Sequence, residues 1–202
     1  MAERPLVQRA QVKRLEGTEQ LGPATVLDFW RWAMGDLQMN TARGLLIEWL
    51  IARAVGDPSA FRVEWGPYDV LAADGTKVET KATGLLQGWA MKRQSTPPWT
   101  FGAVAADTVW TEELGEYVPV DPQSRVHVWV FALHTATEQE QYDPLDVEPW
   151  EFRVMAHRRL LATGQKSAGL ATLTKWGLKP VSYAELPEAI ADARRDNDAL
   201  SP

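Results

Sequence analysis

The chain has 202 residues, of which 45% are apolar and 24% charged; that suits one domain with a full hydrophobic core and argues against wholesale disorder. Cysteine is absent, which excludes disulfides, thiolate catalysis and Cys-based zinc or iron–sulfur sites, and the three histidines (His127, His134, His157) stand at no i, i+4 helical spacing that would suit a zinc site. No stretch approaches the roughly 18 apolar residues of a membrane-spanning helix, and the opening MAERPLVQRAQVKR lacks the apolar core of a secretory leader, so a cytoplasmic protein with no membrane contact is expected.

Residues 1–22 are polar, contain Gly17 and Gly22, and read as an N-terminal extension; residues 23–202 read as a single α/β domain. Pro23 suits a first helical position, and Leu27, Trp30, Ala33, Met34 and Leu37 recur at helical spacing, which predicts a helix over 23–38. Asn40 or Thr41 caps a second helix, nearly continuous in its apolar residues (GLLIEWLIARAV), and Gly56 ends it. Phe61, Val63 and Trp65 then alternate with polar residues, as in a strand. Residues 68–71 and 77–82 read as two strands joined by Ala73-Asp74-Gly75, and 85–94 as a short helix stopped by Pro97 and Pro98. The run VHVWVFAL over 126–133 has the look of a central strand covered on both faces. Residues 150–155 form another strand, 157–162 and 168–175 two short helices that loosely suggest a helix-turn-helix, and 184–195 a final amphipathic helix. Ten tryptophans are scattered without a period; most belong to the core, with one or two free to stack on a base or ligand.

The net charge of −6 says less than its distribution. Residues 138–151 hold six acids and no base, so the rest of the chain is neutral, and residues 152–184 hold six bases and no acid. A phosphate backbone therefore remains a feasible partner. With thiolates and histidine clusters gone, metal chemistry is left to carboxylates, which favour a hard cation such as magnesium.

Glu48 is the first anomaly. It lies within Leu45-Leu46-Ile47-Glu48-Trp49-Leu50-Ile51, about 140° around the helix from both Arg43 and Arg53, with Gly44, Leu45, Ile51 and Ala52 as its i±3 and i±4 neighbours. An unpaired acid on an apolar face calls for a distant cation, a metal or a cleft, unless it merely borders the core. The hairpin is the second anomaly. If Asp74-Gly75 formed a two-residue turn, Asp69 would face Thr80 and leave Glu79 and Lys81 on the other side. If Ala73-Asp74-Gly75 is a three-residue loop with Gly75 left-handed, Leu71 pairs with Lys77 and Asp69 with Glu79, Lys81 shares their face, and Val70 and Val78 turn to the core. The second register is favoured because it joins both valines. Two opposed carboxylates repel; a divalent cation between them removes the conflict and supplies a Lewis acid and an acidified water, and Lys81 could orient that water or stabilise developing charge.

A helical Glu, then a strand Asp, then Glu-x-Lys on the next strand resembles the PD-(D/E)XK nuclease superfamily, and NTARGLLIEWLIARAVG with YDV and VETKAT is similar to a bacterial branch of it. The resemblance spans about residues 40–89, with Pro67-Tyr68-Asp69 in place of a direct Pro-Asp. It implies a restriction-endonuclease-like mixed β-sheet flanked by helices, and a metal-dependent phosphodiester hydrolase acting on nucleic acid, most commonly DNA. Carried over, Asp69 and Glu79 bind Mg2+ (with Mn2+ as a substitute), Lys81 assists the attacking water, and Glu48 is the helical glutamate that completes the metal set. Thr83 or Gln87 supplies a further polar group, Gln87 falling at the start of the next helix. Lys92 and Arg93, just beyond the site, and Arg158, Arg159 and Lys166 in the basic run are the expected nucleic-acid contacts, and cutting both strands would suit a homodimer. Two rivals stand beside this reading: a non-catalytic nuclease-like module acting through protein or nucleic-acid partners, and a small-molecule hydrolase built on the same carboxylates.

Overall fold

The computed structural model describes residues 15–56, 62, 66–88, 96–102, 104–111 and 114–200. A two-stranded hairpin of β1 (Gln20–Leu21) and β2 (Ala24–Thr25) leads into α1 (Val26–Met34) and α2 (Asn40–Val55). Next come β3 (Val70–Leu71), β4 (Lys77–Gly84), β5 (Trp99–Thr100), β6 (Thr108–Thr111) and β7 (Glu116–Pro119), then the single turn α3 (Pro122–Arg125). The remainder is β8 (Val128–His134), a 3-10 turn at Gln139–Gln141, β9 (Trp150–Ala156), α4 (His157–Ala162), β10 (Ser167–Ala168), α5 (Leu170–Lys175) and α6 (Leu186–Ala199).

The architecture is mixed α/β. Four strands form the main sheet in the order β3-β4-β8-β9, with β4 and β8 parallel and the two outer pairings antiparallel. All residues of β8 are buried, as its unbroken apolar run requires of a central strand with helices on both sides. Alternation along the strands separates two cores. Val78, Val128, Val130 and Ala132 meet Ile47, Leu50 and Ile51 of α2 and Leu186, Ile190 and Ala193 of α6. On the opposite face Trp129, Phe131, Leu133 and Met155 meet Trp99, Phe101, Leu160 and Leu173.

Several boundaries differ from the sequence reading. The first helix begins at Val26, not at Pro23, because Thr25 and Asp28 form a reciprocal capping box: the Asp28 carboxylate accepts the Thr25 amide at 2.9 Å while the Thr25 hydroxyl accepts the Asp28 amide at 3.3 Å. Asn40 is the first residue of α2 and not its cap, whereas Gly56 does end it. Residues 85–88 are bends where a helix was expected, and the rest of that expected helix lies outside the described residues, as does the strand over 61–65 apart from Arg62. The β6–β7 hairpin and α3 are additions. Nor do α4 and α5 make a helix-turn-helix: β10 intervenes and pairs with β5, which ties the connection into the second core. Among the described residues no helix is long and apolar enough to cross a membrane.

Candidate functional site

The hairpin adopts the three-residue loop. Val70 pairs with Val78 and Leu71 with Lys77, Ala72 donates to the Thr76 carbonyl at 2.9 Å, and Gly75 takes the left-handed φ of 84° that the loop needs. Both valines are buried as expected. One step further the expected cross-strand pair of Asp69 with Glu79 is replaced. The Asp69 amide donates to Val78 O at 3.0 Å, the carbonyl opposite Val70, so the ladder stops. The Asp69 carboxylate then takes the place of the missing strand: Oδ2 accepts the Thr80 amide at 2.7 Å and the Thr80 hydroxyl at 3.1 Å. The Asp69 carboxylate is thus held at Thr80, the residue of β4 between Glu79 and Lys81.

Glu79 and Lys81 share a strand face by their two-residue spacing, and Lys81 Nζ donates to Glu79 Oε1 at 2.8 Å and to Thr80 O at 2.8 Å. The ammonium also lies 5.5 Å from the ring centre of Trp129, whose place in the register is beside Glu79. Burial pushes the Glu79 carboxyl up, the like charge of Asp69 pushes it further, and Lys81 opposes both.

Glu48 projects from α2 toward the same group: burial raises its carboxyl, the Asp69 charge adds to that, and Lys81 counteracts it. Its principal partner was not foreseen. Arg62 clasps it with two bonds, Nε to Oε2 at 2.5 Å and Nη2 to Oε1 at 3.3 Å. The signal lay in the sequence as a demand: an acid on an apolar face needs a cation, and Arg62 is the first base after the helix. Arg125 was missed as well. It is buried on α3, its Nη1 donates to Pro67 O at 2.9 Å, two residues before Asp69, and its charge reaches Glu79.

Gln87 stands apart. It is buried, and its Nε2 donates to Gly84 O at 2.6 Å. Gly84 ends β4, five residues and roughly 16 Å along the strand from Glu79. Thr83 is buried on the same strand. Lys92 and Arg93 lie outside the described residues. Arg158 donates to the Gln123 side chain, Arg159 to Trp176 O, and Lys166 is exposed. His134 is a buried strand-end residue between Tyr142 and Trp150. His157 is fully buried; its Nδ1 accepts the Trp129 indole N–H at 2.8 Å, and Nε2, 2.7 Å from Pro122 O, carries the proton, an assignment in keeping with burial lowering its basicity.

Among the described residues no three acids or histidines gather closely enough to hold a metal ion. Glu48 is turned to Arg62, which leaves Asp69 and Glu79 as the pair with oxygen to offer. Their chemistry fits a hard divalent cation: both are oxygen donors, and a cation would relieve the repulsion between them.

The direction of the Glu79 shift fixes a stability prediction. A carboxyl raised in the folded state destabilises the fold once it ionises; the penalty is absent below the unfolded value near 4.5 and complete above the folded one. Glu79→Gln, which mimics the protonated form, is expected to raise Tm at pH 8 and to match wild type at about pH 4. Thermal melts across that range check it, and a variant less stable than wild type at pH 8 would contradict the sign.

No protein-family model, no curated protein and no solved structure matches the chain.

Proposed function

We propose that the protein is a metal-dependent phosphodiester hydrolase that cuts nucleic acid, DNA in the first instance, with a site of PD-(D/E)XK type. One observation carries the reading: Asp69, Glu79 and Lys81 converge on a three-residue stretch of β4, with the two acids in electrostatic conflict and the lysine fixed against one of them. Such conflict is characteristic of sites tuned for chemistry.

Asp69 and Glu79 would hold Mg2+ or Mn2+, which when bound supplies a Lewis acid and a water of lowered pKa. The other roles belong to the chain itself. Glu79 and the Thr80 carbonyl fix the Lys81 ammonium, which donates to the attacking water and places positive charge where the phosphate gathers negative charge. Thr80 clamps Asp69 through two bonds. Arg125 anchors the chain entering Asp69. Glu48 would join the metal set only on leaving Arg62. Two-strand cutting would engage a homodimer, and a cytoplasmic location would suit a DNA substrate.

The exposed aromatic residues of α1, Phe29, Trp30 and above all Trp32 at 84% exposure, favour a second reading, a binding module of the same fold acting through a partner. Incubation of plasmid, linear duplex and single-stranded DNA with Mg2+, Mn2+ or EDTA separates the two. Metal-dependent cutting that Glu79→Gln abolishes, in a protein that still melts cooperatively, is the expected result. Equal cutting by wild type and Glu79→Gln overturns the site. No cutting by either, together with no rise in Tm on adding Mg2+, transfers the assignment to the binding module.

A further inference from the structure

A cleft of about 480 Å³ opens between α3, α4 and the end of α6, lined by Gln123, Arg158, Arg159, Leu161, Ala162 and Leu200. Its size is that of a small-molecule site. Among the described residues, two cations and no acid line it. Arg158 donates to the Gln123 side-chain carbonyl and Arg159 to the Trp176 carbonyl, both neutral. Neither faces a carboxylate among the described residues, in contrast to Arg31, Arg153, Arg194 and Arg195, each of which does. The floor is firm: the Arg158 amide donates at 3.0 Å to the buried Asn197 side chain of α6, and His157 is bonded to Pro122 O of α3. The three apolar residues supply a wall beside the charges.

We propose that this cleft binds the phosphate of a nucleotide, with the guanidiniums on the phosphate oxygens and the sugar and base against Leu161, Ala162 and Leu200. Paired guanidiniums suit a phosphate because their donors engage two oxygens at once, and the apolar wall asks for a bearer with a flat or aliphatic body. The choice of a nucleotide as that bearer rests on the phosphodiester-hydrolase reading; the anion and the wall do not. Gln123 and Arg125 are two residues apart on α3, and Arg125 holds Pro67 just ahead of Asp69. The turn α3 thus joins a residue of the cleft to the chain that leads into Asp69.

Binding is measured by calorimetry in EDTA, so that no cutting is needed, with dAMP, deoxyadenosine, and an oligodeoxynucleotide with or without a 5′-phosphate. dAMP is expected to bind at least about tenfold more tightly than deoxyadenosine, the difference of one good charged hydrogen bond. Arg159→Gln, at an exposed position, should weaken dAMP by about tenfold without altering the fold, Arg158→Gln should do so at the half-buried one, and Glu79→Gln should leave dAMP binding unchanged. A phosphorylated oligonucleotide that binds more tightly than dAMP assigns the cleft to a strand end; equal binding assigns it to a free nucleotide. Binding indifferent to Arg159→Gln, or dAMP no tighter than deoxyadenosine, overturns the proposal. A protein that binds dAMP yet cuts no DNA loses the hydrolase reading and keeps the cleft.

Discussion

Lys81→Ala is expected to lower metal-dependent DNA cleavage by about 10²–10⁴-fold, the range for a positioned acid–base or charge-stabilising group. The ammonium is fixed by Glu79 Oε1 and Thr80 O at 2.8 Å each and backed by the Trp129 ring, so its position is set before substrate arrives. Lys81→Arg should not rescue the loss, because a planar fork cannot take the place of a compact ammonium held by two oxygens and a ring face. Stability should move much less. The Lys81 side chain is 30% exposed, and pairs of that exposure contribute little net stability, about 0–1 kcal/mol. Cleavage rates at saturating Mg2+ and thermal melts on the same preparations make the comparison. Activity within tenfold of wild type would remove Lys81 from the chemistry.

Trp129→Ala is the substitution with the largest expected cost to the fold, about 3–5 kcal/mol, against a total of about 5–15 kcal/mol for a domain. The side chain is fully buried, packs edge-on against Phe101 with centroids 6.0 Å apart, and is stacked near Phe131 at 6.3 Å. Its indole N–H is also the donor to His157 Nδ1. Trp129→Phe separates the two contributions. It returns most of the apolar volume but leaves a buried ring nitrogen without its donor, so about 1–3 kcal/mol of the loss should persist. Urea unfolding at neutral pH measures both. Phe as stable as Trp at this position would show that the bond to His157 contributes nothing. A correctly folded Trp129→Phe should still hold Lys81, and cut, better than Trp129→Ala.

The parts of the site that could be read from sequence are those set by local chemistry. Ala73-Asp74-Gly75 admits a three-residue loop, Gly75 supplies the left-handed residue, and the valines decide which face is inward, so the register of β3 with β4 follows. β8 was legible because its apolar run has strand length and aromatic, β-branched content. What escaped depends on groups far apart in sequence or on competition between local signals. Asp69 abandons the strand because its own side chain satisfies the Thr80 amide, a choice that periodicity does not register. Arg62 reaches Glu48 across 14 residues, and Arg125 arrives from another element altogether. At α1 the Thr25–Asp28 box outweighs the preference of Pro23 for a first helical position. The hairpin over 108–119 carries too little apolar alternation to stand out, since its residues are largely exposed or half-buried.

The early end of β3 also bears on how the chain avoids its own kind. β4 runs for eight residues, but among the described residues its strand pairing with β3 covers only Lys77 and Val78, and an unpaired strand edge is an invitation to another chain. At Thr80 the vacancy is filled by a side chain, because Asp69 occupies the amide an incoming strand would need. The residue that would carry the metal therefore also acts as a guard against intermolecular strand addition. That role asks only for a hydrogen-bond acceptor at position 69: asparagine could stand guard in place of aspartate, and leucine could not.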